Sequence, residues 1–232
     1  MQPTNTATAA KHNGSTSKLR RLARAAAVTA REAQRDGIVR TARRAVRTAR
    51  LFGLSNVVGR AEAAAGDWSW YRLELGNLNR RELPAGMQLR RCREPDVPLF
   101  ARLEPVAYRD AQRRFEAGGL LWMVLADEEP MFACWTFTAH SPVGQADHGW
   151  LQLPPRTAHL KDLITAESAR GRGIAPGAIS MIVDVLAADG LLTLFGRVED
   201  SNFSSRRVYQ KLGFTTMQPD DPAWVDFKRQ GV

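Results

Sequence analysis

The chain has 232 residues, 44% of them hydrophobic, enough for an ordinary buried core in one domain with an appendage or in two small domains. Its formal charge of +9 is uneven: residues 1–60 hold 13 of the 33 Lys and Arg against only Glu32 and Asp36, so the remainder is close to neutral. No apolar run approaches the ~18 residues of a spanning helix, and the run from Ala25 to Val28 is too short for the core of a secretory signal, so a cytoplasmic protein without a transmembrane segment is expected.

Residues 1–17 are small and polar without periodicity and read as a disordered tail. Over 18–60 Ala and Arg dominate, and Leu19, Leu22 and Ala26, then Ile38, Ala42, Val46 and Ala49, recur at spacings of three and four. That is the period of two amphipathic basic helices, broken at Gly37. Such an extension suits nucleic acid or another anionic surface; a solvated arm on the domain behind it is the alternative. Residues 61–87 supply a strand starting at Trp68 and a loop with Asn77, Asn79 and Pro84.

From Gln88 onward the pattern is mixed. A strand to Cys92 precedes helical stretches over 97–103 and 106–117, the first opened by Pro95 and Asp96. Apolar runs over 120–126 and 131–137, joined by Asp127, Glu128, Glu129 and Pro130, form a hairpin pattern. A polar loop over 139–156 contains His140, Asp147 and His148, and its composition reads as solvated. Then come a strand over 159–165, a helix ending near Ala188, a strand over 191–195, a helix over 202–212, and closing strands over 214–217 and 224–228. The order is that of an α/β protein of α+β type, not a strict βαβ alternation. Cys92 and Cys134 have no second Cys or His at ligand spacing, and no histidine pair falls at i,i+4, so buried thiols and no metal are expected.

Chemistry concentrates between Thr165 and the following helix, in Arg170, Gly171, Arg172, Gly173, Ile174 and Ala175. A helix N-terminus offers unpartnered N–H groups and partial positive charge, glycines let an anion approach the backbone, and arginines add donors. Pro176 fits the first helical turn because its missing N–H would have no partner there. There is no Gly-Lys-Ser/Thr, and the dinucleotide pattern G-x-G-x-x-G fails at Pro176.

What remains is R-x-x-G-x-A, and 29 residues after Gly173 stands Asn202-Phe-Ser-Ser-Arg-Arg-Val-Tyr-Gln-Lys-Leu-Gly-Phe214. These two blocks resemble the motifs of the GNAT N-acetyltransferase superfamily, R-x-x-G-x-A for the pyrophosphate of acetyl-CoA and N-x-x-S-x-x-V-Y-x-K-L-G-F after it. The resemblance covers residues 88–228 and implies a mostly antiparallel mixed sheet flanked by helices, with 18–60 as a basic helical extension. It also implies acetyl-CoA as co-substrate and an amine of a small molecule, sugar or peptide as acceptor. A CoA-binding module without catalysis, recruited to a polyanion by the basic arm, is the other reading.

On that resemblance the cradle from Arg170 to Ala175 binds pyrophosphate. Leu163, Ile164 and Thr165 border the pantetheine arm, with an N–H there donating to the thioester oxygen. Asn202 and Ser205 start the second helix near pantetheine, although Asn202 can equally be a helix cap. Tyr209 protonates the departing thiolate or is a core tyrosine. Asp162, with Glu167 as second choice, is the base or a surface carboxylate. The acceptor site falls in 97–117 and 139–156, where no motif stands.

Overall fold

The computed structural model describes residues 67–104, 108–144, 146 and 149–232. The expected tail and basic extension over 1–60 lie outside them.

Among the described residues, nine strands and five helices run in the order β1 (Trp68–Glu74), β2 (Gln88–Cys92), α1 (Val97–Phe100), α2 (Tyr108–Glu116), β3 (Leu120–Ala126), β4 (Glu129–Phe137) and β5 (His140–Pro142). There follow β6 (Trp150–Gln152), β7 (Thr157–Thr165), α3 (Ile174–Ala188), β8 (Thr193–Glu199), α4 (Phe203–Leu212), β9 (Thr215–Thr216) and α5 (Pro222–Arg229). Seven strands form one sheet in the order β2-β3-β4-β7-β8-β1-β9, antiparallel except for β7 beside β8.

Strand alternation sends side chains to two cores. On one face Tyr71, Leu73, Val124, Phe132, Cys134 and Leu160 pack against Ile174, Ile179, Ile182 and Leu186 of α3 and Tyr209 and Leu212 of α4. On the other, Trp70, Met123, Trp135, Phe137 and Phe195 meet Phe100 of α1, Ala111 of α2 and Phe227 of α5. Cys92 and Cys134 are buried free thiols, one on each face.

Two expectations are corrected, and one expected strand takes an interior place. Residues 224–228 are helical: the Asp221 carboxylate accepts from the Ala223 N–H at 2.9 Å, Pro222 occupies the first turn, and the three-residue spacing of Trp224 and Phe227 points both at the core. Phe227 is fully buried, 4.7 Å from Trp70 and 5.3 Å from Phe195 between ring centres. The sheet position next to β8 is taken by β1 from the other end of the chain, paired with β8 along its whole length from Trp68↔Glu199 to Glu74↔Thr193. Residues 61–87 therefore include a strand interior to the sheet, with β9 on its outer side pairing only at Tyr71 and Arg72.

The second correction concerns the loop over 139–156, which contains a two-stranded ribbon, β5 with β6, in place of a merely solvated segment. Leu151 is fully buried, and Ser141 Oγ hydrogen-bonds His159 Nδ1 of β7 at 2.6 Å. The hairpin between β3 and β4 is tighter than expected, turning on Asp127 and Glu128 alone, both left-handed at φ 48° and 63°.

The β1–β2 connection is strapped across α3. Arg81 donates its N–H to Ser180 Oγ at 3.0 Å, and Arg80 pairs with Asp184 at 2.6 Å. At Gly177 a Cβ would fall 2.5 Å from Glu82 O and 2.7 Å from Leu83 Cα, both backbone. Gly177→Ala is expected to destabilise the fold by about 1–3 kcal/mol, read as a lower thermal midpoint. An unchanged midpoint would show that the strap lifts off α3 at no cost.

Candidate active site

β7 pairs with β8 only from Thr157↔Thr193 to Leu160↔Gly196, and beyond Leu160 it keeps pairing with β4 alone. The two parallel strands therefore part like the arms of a V, with Leu160 and Gly196 at the apex. A bulge in β7 lies just beyond the parting point. Its register against β4 jumps from Trp135↔Lys161 to Ala133↔Ile164, so Asp162 and Leu163 together oppose Cys134. Asp162 takes the left-handed conformation there, φ 53°. Leu163, Ile164 and Thr165 are half-buried along the diverging arm, Leu163 on the α3 side and Ile164 on the other.

The arm runs through one turn, Glu167–Ala169, into the glycine-rich segment. Gly171 and Gly173 are both left-handed, at φ 79° and 81°, and a Cβ on either would meet no atom within 4 Å. The backbone there is thus bent and open at once. Gly173 caps α3; Pro176 has no N–H, and the Gly177 N–H is taken by Gly173 O at 3.2 Å. The amides of Gly171 to Ala175 stand at the start of α3, the kind of helix end that suits an anion. Arg170 and Arg172 are exposed beside them, whereas the Ile174 side chain is buried in the core, so only its amide belongs to the cradle. Glu167, 90% exposed, pairs with Arg170 at 3.6 Å on the solvent side.

Tyr209 reaches the apex of the V from α4. Its ring is buried between Tyr71 and Phe214, at 5.3 and 4.5 Å between centres, and a Cβ on Gly196 would lie 2.2 Å from its hydroxyl oxygen. The hydroxyl therefore lies against the last residue of β8 that pairs with β7. Burial raises its pKa above the ordinary value of about 10, so it stays protonated at neutral pH.

Asn202 caps α4 in full. Its carbonyl oxygen accepts from the Ser205 N–H at 3.3 Å and from Ser204 Oγ at 2.9 Å, and its amide donates to Ser205 Oγ at 2.9 Å. Asp162 faces α2: its carboxylate accepts from Arg114 at 2.6 Å, and the guanidinium also reaches Asp110 at 3.3 Å. Beside this pair His159 is buried and neutral, its pKa held well below 6.5 by burial and then by Lys161 and Arg197.

The sequence model of the acetyltransferase (GNAT) family matches residues 87–214, more than half of the chain. The chain belongs to the GNAT acetyltransferase family. No curated protein matches its sequence. A solved GNAT-family protein from Novosphingobium aromaticivorans is similar at 20% identity and a TM-score of 0.46, over 66% of this chain and 61% of that one. So are the ribosomal-protein-S18-alanine N-acetyltransferase from Escherichia coli, at 15% identity and 0.46 over 57% and 79%, and a GCN5-related N-acetyltransferase from Kribbella flavida, at 16% and 0.45 over 68% and 59%. The matched part spans less than two thirds of the Novosphingobium and Kribbella proteins.

For a GNAT protein the group to be accommodated is the pyrophosphate and pantetheine of acetyl-CoA, and these residues fit it. The glycine turn leaves open space where side chains would stand, and the V leads from it to a tyrosine hydroxyl. β1, which lies outside the matched segment, contributes Tyr71 to the wall behind Tyr209.

The structure brings together Leu163, Ile164, Thr165, Asp162 and the 170–175 cradle along one arm of the V, and Tyr209 at its apex; Glu167 lies on the rim. Two residues escaped sequence reading. Gly196, a lone glycine in an apolar strand, carried the signal of a close approach. Arg114 carried only an i,i+4 relation to Asp110. Among the described residues no cluster of three His, Cys, Asp or Glu could hold a metal ion, and no helix is long and apolar enough to cross a membrane.

Proposed function

We propose that the protein transfers the acetyl group of acetyl-CoA directly to the amine of a small molecule, sugar or peptide. What supports this most is the Tyr209 hydroxyl at the point where β7 and β8 part, with an open glycine cradle at the far end of the same slot. Acetyl-CoA supplies an acetyl thioester. The amides and arginines from Arg170 to Ala175 hold its pyrophosphate, and the diverging arm at Leu163, Ile164 and Thr165 lies along its pantetheine. An N–H on that arm donates to the carbonyl oxygen as charge builds there.

The acceptor nitrogen forms the new N–C bond as the C–S bond breaks. Tyr209 delivers its proton to the leaving sulfur and recovers one from solvent, while the nitrogen loses its surplus proton to water. Asn202 and Ser205 hold the first turn of α4 and so the approach of Tyr209.

Wild-type protein should bind acetyl-CoA in a calorimetric titration, and Gly173→Val, which forces a β-branched residue to φ 81°, should weaken binding about tenfold or more. Absence of binding to the wild type would overturn the proposal. The pH profile is a second test. Only the neutral amine attacks, so the rate rises with pH toward the acceptor's own pKa. Tyr209 is competent while protonated, and its raised pKa extends that state to higher pH. The rate should therefore climb to about pH 9 with no falling limb. A falling limb below that pH, lost in Tyr209→Phe, would contradict the buried environment of the hydroxyl.

A further inference from the structure

Asp162 adopts a left-handed backbone in the middle of a strand, where glycine is the residue free of strain. Its carboxylate is held at 2.6 Å by Arg114, which reaches it from α2. The Arg114 side chain is only 9% exposed and lies 5.3 Å over the Trp135 ring on β4. The end of α2 is itself fixed: the Gly119 N–H donates to Arg114 O at 2.7 Å, and a Cβ on Gly119 would strike that oxygen and the Phe137 ring. One guanidinium thus ties α2, β4 and the bulge of β7 together, two residues after β7 leaves β8.

We propose that Arg114 is a positioning residue for acetyl transfer. Its ion pair with Asp162 holds the left-handed bulge, and the bulge holds the slot between β7 and β8 open for the thioester. Asp162 is then the carboxylate half of this lock, not the group that accepts the amine's proton. The proposal rests on the acetyl-CoA function above, but its test does not depend on it alone.

Hydrogen exchange of the free full-length protein reads the lock directly. In Arg114→Met the amides of residues 161–165 should exchange about tenfold faster while those of β3 stay as in the wild type, and acetyl-CoA affinity should fall by about the same factor. Glycine needs no help at φ 53°, so Arg114→Met added to Asp162→Gly should change neither measurement further. If Arg114→Met does not fold, Arg114→Lys, which keeps the charge and loses the fork, takes its place in the same cycle.

Unaltered exchange in the Arg114 variant, or equal effects in both backgrounds, would overturn the lock. So would Asp162→Asn, which tolerates the left-handed bend, if it kept exchange and affinity yet lost acetyl-CoA hydrolysis a hundredfold, since the carboxylate would then be doing proton transfer. A wild type that binds no acetyl-CoA, with exchange behaving as expected, would remove the enzyme function and leave the lock standing.

Discussion

Tyr209→Phe is expected to lower turnover about a hundredfold or more at saturating acetyl-CoA, the range for loss of a positioned general acid. Phenylalanine keeps the ring that fills the space between Tyr71, Phe214 and Gly196, so the fold and the slot persist. Acetyl-CoA affinity should therefore stay within about threefold of the wild type, because only an interaction formed as the C–S bond breaks has been removed. Steady-state thiol release and calorimetry on the same preparations separate the two effects. Turnover that survives at saturating co-substrate would return Tyr209 to the role of a core tyrosine.

That tyrosine could be placed from sequence because its motif carries its neighbours with it. Asn202 and Ser205 cap the helix, and Gly213, left-handed at φ 90°, ends it, so the residues between must be helical and Tyr209 must face the sheet with Leu212. The glycine turn before α3 was legible for the same reason: its glycines and proline act through local backbone geometry. Residues whose roles depend on distant partners were not. The Trp68 strand is recognisable as a strand, but nothing local says that it enters the sheet between β8 and β9. Asp162 sits in what reads as an unbroken strand, and the Arg114 that pairs with it at the bulge lies 48 positions earlier. Residues 224–228 read as a strand because their hydrophobic pattern is short, and the Asp221-Pro222 cap that decides for helix lies just before them.

Gly196→Ala tests whether the apex of the V is as tightly built as it looks. The added Cβ would lie 2.1 Å from Tyr209 Cε1, 2.2 Å from its hydroxyl oxygen and 2.5 Å from Cζ, well inside contact distance. The ring cannot retreat, since it is 1% exposed and flanked by Tyr71 and Phe214. Overpacking of this kind costs about 1–3 kcal/mol, a drop of roughly 2–12 °C in the thermal midpoint for a domain of this size. Turnover should fall about as far as in Tyr209→Phe, because any escape of the ring displaces the hydroxyl from the slot. Pairing Gly196→Ala with Tyr209→Leu separates the causes: the smaller side chain should recover the midpoint while turnover stays low. If Gly196→Ala alone kept both stability and turnover, the hydroxyl could not be held where β7 and β8 part, and the assignment of Tyr209 as the acid would lose its geometric basis.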